Sequence, residues 1–175
     1  MEKNKIYVGR EVFFAAVALL TLAGVSSGHS LYTPKGSRVL HTHAEREWTS
    51  SEIAEIRAYV AANFPNAEER EAPTTQYNCH SQAWGNCNGI IDGQHVAVYV
   101  TDGSYAYDAN SALWTWGAAT AIPEHSGIRS NYDCVKGTYM VVSKMGLWGL
   151  YKHPENEHPY GGGGGLHTHS YKPNW

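Results

Sequence analysis

The sequence predicts an α+β domain, with helices in its first half and an antiparallel sheet in its second half. Apolar residues recur at helical spacing after Thr49. From about residue 95 onward, short runs rich in Val, Ile and Tyr are separated by Gly and Asp-Gly turns, a pattern typical of strands. We expect residues 29–160 to form one globular domain, which is an ordinary domain length.

The first 28 residues have the organisation of a signal peptide. Lys3, Lys5 and Arg10 precede an apolar run at residues 12–25, and small residues follow it. A membrane-spanning helix needs about 20 apolar residues, so this run is short for a stable span. We therefore expect residues 1–28 to direct export to the periplasm, the cell surface or the medium. An uncleaved anchor, with residues 12–25 in the membrane, and a buried helix are the alternatives.

Charge excludes some partners. The net charge is −3, and no block of like charge occurs. Neither nucleic acid nor an anionic membrane surface is therefore an expected partner.

The chain has three cysteines: Cys79, Cys87 and Cys134. An odd count in an oxidising compartment suggests one disulfide and one free thiol. We expect the disulfide Cys87–Cys134, which leaves Cys79 free. In the alternative, Cys79 pairs with Cys87 and no reactive thiol remains.

The predicted helices follow clear local signals. Residues 29–47 look irregular. Thr49 and Glu52 then form a capping-box pattern, and Pro65 ends the helix that follows. Residues 65–75 are polar and predict a surface connection. A second, shorter helix begins near Cys79 and runs through Trp84.

The strands are predicted from alternation and turns. Residues 96–100 and 105–107, joined by Asp102-Gly103, resemble a hairpin. Further strands are expected at residues 125–129, 139–144 and 147–152. Five consecutive glycines lead us to expect a flexible tail over residues 161–175.

Cys79 is the most informative position because it lies where a loop turns into a helix. Backbone N–H groups and the helix dipole at such a position lower a thiol pKa. The same N–H groups can hold the oxyanion of a tetrahedral intermediate.

A cysteine nucleophile also needs a base. His80 is adjacent, but neighbours on a helix point about 100° apart. His125 begins a predicted strand that can lie beside the Cys79 helix, so we favour it. His95, which directly precedes the predicted strand at 96–100, is the competing candidate.

Several motifs carry a family resemblance: Tyr77-Asn78-Cys79-His80-Ser81, Asp102-Gly103-Ser104-Tyr105, His125-Ser126-Gly127-Ile128 and Ser143-Lys144-Met145-Gly146. Together they resemble a family of small secreted bacterial proteins, similar in layout to the NlpC/P60 and CHAP cysteine hydrolases.

That resemblance implies a papain-like α+β fold, with Cys79 as nucleophile and His125 as general base. The third, orienting group falls at Ser143 and Lys144, where CHAP-like sequences tend to have a carboxylate or amide. A serine can accept the imidazole N–H, whereas a charged lysine cannot. Ser143 is the candidate third member, but the identity of this group stays open, and Tyr77, Asn78 and Trp84 are the expected substrate contacts. The implied substrate is a peptidoglycan stem peptide or another extracellular peptide, and no cofactor is expected.

Two other functions remain open. The departure at Lys144 favours a non-catalytic secreted binding module, which would use an aromatic groove, although such aromatics are more often core. A metal-binding protein is the third hypothesis. The pairs His41/His43 and His167/His169 could together supply four ligands if the two ends of the mature chain meet.

Overall fold

The computed structural model describes residues 30–85, 87, 89–117, 123–160 and 167–175. The predicted signal peptide and the glycine tract lie outside these residues. None of the helices in the described part of the chain combines the length and the hydropathy that a membrane span requires.

The described residues form a seven-stranded antiparallel sheet, three helices and a two-stranded ribbon, which confirms the α+β prediction. The helices are α1 (Ser50–Asn63), α2 (Cys79–Trp84) and α3 (Gly93–Thr101). The strands are β1 (Leu31–Tyr32), β2 (Arg38–Val39), β3 (Glu68–Glu71), β4 (Tyr105–Tyr107), β5 (Leu113–Trp116), β6 (His125–Asp133), β7 (Thr138–Lys144), β8 (Leu150–Pro154) and β9 (His169–Pro173). The order in the sheet is β3-β8-β7-β6-β5-β9-β4, and β1 pairs with β2.

Helix α1 begins and ends as predicted. The Thr49 hydroxyl accepts a hydrogen bond from the Glu52 N–H, and the Glu52 carboxylate accepts one from the Thr49 N–H. These two bonds satisfy donors that a helix start otherwise leaves free. Ile56 and Val60 form the buried face, which packs in one cluster with Met145.

The core lies between the sheet and helices α2 and α3. Trp84, Tyr99 and Tyr105 are buried together there with aliphatic residues. Trp114 and Trp116 are buried in a second cluster. These five aromatic residues therefore belong to the core, which is the more frequent role of such residues, and they do not line a groove.

The hairpin predicted at residues 96–107 is wrong in its first half, since helix α3 covers Gly93–Thr101. The Asp92 side chain caps this helix by accepting a hydrogen bond from the Gln94 N–H at 3.0 Å. Its buried residues, Gly93, Val96 and Tyr99, recur every third position. The alternating valines favour a strand locally, but burial of this helical face against the core prevails. His95 therefore lies on a helix and not on a strand.

The flexible tail predicted for residues 161–175 is wrong at its far end. Strand β9 pairs with both β5 and β4, so it is an internal strand of the sheet. Strand β3 is a second difference, because it lies within the segment expected to be a surface connection. Its four residues are all exposed, so they carry no hydrophobic pattern that could reveal a strand.

The predicted disulfide Cys87–Cys134 is also wrong, since all three cysteines are free. The Cys87 N–H donates to the Ser81 carbonyl, which holds Cys87 beside α2. Cys134 follows the far end of β6, nine residues beyond His125. At about 3.3 Å per residue, Cys134 lies some 25 to 30 Å from His125 along the strand, whereas a disulfide needs Cα atoms about 4.4–6.8 Å apart. The alternative pair, Cys79 and Cys87, is unbonded as well.

Candidate active site

Cys79 is the first residue of α2, as predicted. The N-cap is Asn78, whose side-chain oxygen accepts hydrogen bonds from the N–H groups of Ser81 and Ile91, at 3.1 and 3.2 Å. Its amide donates to the Ile91 carbonyl at 2.7 Å. One side chain thus starts the helix and fastens it to the segment before α3. Cys79 itself is 3% exposed.

The lowered pKa expected for Cys79 is not what this arrangement produces. Burial raises the pKa of Cys79 to about 11. The backbone N–H groups of Ser126 and His80 and the charge of Lys144 oppose this effect but do not outweigh it. Desolvation wins because α2 has only six residues and its start is covered. The resting thiol is therefore protonated at neutral pH.

Two side chains of α2 attach the helix to the start of β6 through one hydroxyl. His80 Nδ1 lies 2.8 Å from Ser126 Oγ, and the indole N–H of Trp84 donates to the same oxygen at 3.0 Å. Ser126 follows His125 directly, so these bonds fix Cys79 near the predicted base. Burial lowers the pKa of His80 to about 4, so its role here is to hold the helix in neutral form.

His125 begins β6 and is fully buried. Its Nε2 lies 3.0 Å from Ser143 Oγ on β7. Ser143 Oγ in turn lies 2.7 Å from His153 Nε2 on β8, and His153 Nδ1 lies 2.7 Å from the Pro154 carbonyl oxygen. The three neighbouring strands thus contribute one chain of hydrogen bonds. Burial lowers the pKa of His125 well below its ordinary value, so the imidazole is neutral.

The other nitrogen of His125 has no hydrogen-bond partner among the residues that the structure describes. Nδ1 is buried and makes no hydrogen bond within the described part of the chain, to Cys79 or to any other group. The Tyr160 ring lies parallel to the imidazole, with centroids 4.5 Å apart. A buried nitrogen left without a partner costs free energy, so its retention calls for an explanation such as a catalytic role.

Gly127 makes room for these contacts. A Cβ atom there would lie 2.9 Å from Ser143 Cβ and 2.8 Å from Val141 Cγ1. The absent side chain lets β6 and β7 approach closely enough for His125 to reach Ser143.

Lys144 is fully buried, and its ammonium group lies against the loop before α2. Its Nζ donates to the Thr74 carbonyl at 2.5 Å and lies 4.7 Å from the centroid of the Tyr77 ring. Burial lowers the pKa of Lys144 to about 7, against the opposing effect of Cys79 and of Glu47. Lys144 thus supports the loop before Cys79.

The residues predicted to contact substrate have structural roles in this conformation. Trp84 is buried in the core, and Asn78 is occupied as the helix cap. Tyr77 is also buried, and its hydroxyl donates to a Glu71 carboxylate oxygen at 2.6 Å.

The four-histidine metal site is not assembled. His41 and His43 lie together, with ring centroids 5.1 Å apart. His167 instead bonds to Glu155 and stacks on Trp114, and His169 packs beside Tyr107. In the described ranges no group of three or more His, Cys, Asp or Glu side chains is placed to hold an ion.

Sequence reasoning missed His153, Ser126 and the position of Lys144. Ser126 belongs to the motif His125-Ser126-Gly127-Ile128, but its contacts depend on how α2 packs. His153 lies in β8, one residue beyond the strand expected at residues 147–152, and its neighbours Lys152 and Pro154 give no indication of a role in the site. Its contact with Ser143 exists because Ser143 pairs with Tyr151, which places His153 diagonally across the β7–β8 pair.

No family model matches this chain, and neither a curated protein nor a solved structure shows a significant match to it.

Proposed function

We propose that this protein is an exported cysteine hydrolase that cleaves amide bonds, with a papain-like arrangement of its helix and sheet. The observation that carries the proposal is the buried His125. Its Nε2 is held by Ser143 and its Nδ1 is unpaired, beside the residue whose backbone N–H faces the Cys79 sulfur.

The mechanism assigns one role to each group. Cys79 attacks the carbonyl carbon of the substrate while its thiol proton passes to His125 Nδ1. Backbone N–H groups at the start of α2 and at Ser126 stabilise the oxyanion. The imidazolium then protonates the leaving amine, and water hydrolyses the remaining thioester with His125 as base.

This mechanism begins from a neutral pair. The pKa of Cys79 is raised and that of His125 is lowered, so a thiolate–imidazolium pair is not the resting state. The thiol must reach Nδ1 before or during attack. Such contacts often tighten only when substrate is bound.

The proposed substrate class is a peptidoglycan stem peptide or another extracellular peptide, which is what the family resemblance implies. The proposed location is the periplasm, the cell surface or the medium.

The test compares cysteine variants of the full chain on purified stem peptides. Cys79→Ala should abolish release of new amino termini, since the nucleophile is lost. The matched control is Cys87→Ser combined with Cys134→Ser, which removes both exposed thiols and should retain activity. Activity retained in Cys79→Ala would contradict the mechanism.

A non-catalytic binding module is the second candidate, and one observation favours it. Cys79 is buried and its thiol is protonated at neutral pH, as in an ordinary structural cysteine. Alkylation with iodoacetamide, followed by mass mapping, separates the two candidates. In the Cys87→Ser, Cys134→Ser background, a hydrolase should lose activity in step with labelling of Cys79. A binding module should have no activity to lose, whether or not Cys79 is labelled.

A further inference from the structure

The chain of hydrogen bonds from β6 to β8 has only one consistent direction when both histidines are neutral. A carbonyl oxygen can only accept, so His153 Nδ1 must carry the proton that it shares with Pro154. His153 Nε2 is then an acceptor, and the hydroxyl of Ser143 must donate to it. Ser143 Oγ is left to accept from His125, whose Nε2 therefore carries the proton.

We propose that His153 is a positioning residue that fixes the tautomer of His125 through Ser143. The Pro154 carbonyl is the fixed end of the chain, because it can act only as an acceptor. With its proton on Nε2, His125 keeps the lone pair of Nδ1 available on the side that has no partner. That lone pair is what a general base needs. The inference rests on the proposed function for its catalytic meaning, but the tautomer itself is a separate property.

Burial strengthens the effect of His153 on the tautomer of His125. His125, Ser143 and His153 are each fully buried, so bulk water does not reach these atoms. A hydroxyl that loses its acceptor in such a place turns to the next one available. Without His153, the Ser143 hydroxyl would donate to His125 Nε2. The imidazole proton would then move to Nδ1, where it blocks proton transfer from Cys79.

The test uses three variants of the full chain. His153→Leu removes the acceptor and keeps a buried apolar side chain. His153→Gln keeps an oxygen that can accept from Ser143. His95→Gln replaces a histidine on α3, outside the hydrogen-bond chain, and is the control. Thermal unfolding verifies that each variant folds.

The first readout is the protonation of His125 nitrogens in ¹⁵N–¹H correlation spectra at neutral pH. The wild type, His95→Gln and His153→Gln should carry the His125 proton on Nε2. In His153→Leu it should move to Nδ1. A wild-type proton on Nδ1, or an unchanged spectrum in His153→Leu, would overturn the inference. If His153→Leu does not fold, His153→Gln and Ser143→Ala provide the comparison, since Ser143→Ala should release the tautomer preference.

The second readout is hydrolysis of stem peptides. His153→Leu should lower kcat by roughly 100-fold, the lower range of general-base catalysis, and His153→Gln should restore most of it. The two proposals fail separately. If the tautomer responds as expected but Cys79→Ala retains activity, the hydrolase proposal fails and the tautomer control stands. If Cys79 is essential but the tautomer of His125 does not change in His153→Leu, the tautomer inference fails and the hydrolase proposal stands.

Discussion

At the scale of single residues, Lys144 is a buried ammonium group whose surroundings disfavour its charge. Its lowered pKa, about 7, arises from burial. The unfolded chain holds this proton up to about pH 10.4, so between these values it binds more protons than the folded chain. The free energy of unfolding should therefore rise with pH from 7 towards 10, because the penalty of burying the ammonium is present below that window and is relieved within it.

The variant Lys144→Met tests this contribution. It keeps the volume and removes the charge, so the rise in the free energy of unfolding between pH 7 and 9.5 should be smaller by a few kcal/mol at most. Urea unfolding at the two pH values measures it, with Lys152→Met on β8 as the control. An equal rise in wild type and Lys144→Met would show that the ammonium is not desolvated in the folded state.

The same variant reports on the proposed nucleophile. Lys144 lowers the pKa of Cys79 by its charge, so its removal should shift alkylation of Cys79 to higher pH.

At the scale of elements, the contact between β6 and β7 carries the candidate site. We predict that Gly127→Ala separates these strands, because the new Cβ meets Ser143 Cβ and Val141 Cγ1 inside normal contact distance. Overpacking of this kind destabilises by about 1–3 kcal/mol. The bond from His125 to Ser143 should lengthen and hydrolysis should fall.

Chemical denaturation and the stem-peptide assay together measure this effect. Gly137→Ala is the matched control for replacing a glycine, since Gly137 has open space at its Cβ position, although its positive φ adds some strain. Full activity in Gly127→Ala would show that the strands adjust without loss.

Some of the helices and strands were predictable from the sequence, and others were not. Helix α1 was predictable because its cap is a local signal at Thr49 and Glu52, and the start of α2 was expected near Cys79. Strands β6, β7 and β8 were predictable from alternation. Helix α3 was not, since its valines satisfy a strand pattern and a helical face at once. Strand β9 was hidden behind a glycine tract, and only pairing with distant strands reveals it.

The residues of the candidate site were likewise only partly predictable from the sequence. Cys79, His125 and Ser143 were proposed from motifs, and the structure brings His125 and Ser143 into contact. His153 could not be proposed, because its role depends on the register between β7 and β8. The pKa of Cys79 also could not be predicted, since burial is a property of the folded chain.

At the scale of the whole molecule, buried histidines set the response to acid. Burial lowers the pKa of His80 and of His153 to about 4 and that of His125 further. Between about pH 6.5 and 4 the unfolded chain binds more protons, so stability is present above this window and is lost as pH falls through it. Each shift of about 2.5 units corresponds to about 3 kcal/mol.

Such losses are comparable with the whole stability of a domain, about 5–15 kcal/mol. We therefore predict cooperative acid unfolding between pH 6 and 4, above the range in which most carboxylates titrate. Circular dichroism at stepped pH measures it. His153→Gln should move the midpoint to lower pH, while His95→Gln should not. A folded protein at pH 3.5 would contradict the prediction.

Strand β9 has a consequence for the order in which the sheet can form. It separates β5 from β4, and its pairing of Thr115 with His169 joins residues 54 positions apart. Contacts of such long range slow folding, because a long loop must close before they form. Until residues 169–173 arrive, β5 presents an open edge of unpaired backbone groups, a template on which another chain can add a strand. Strand β9 therefore completes the sheet, and it also covers the β5 edge against self-association.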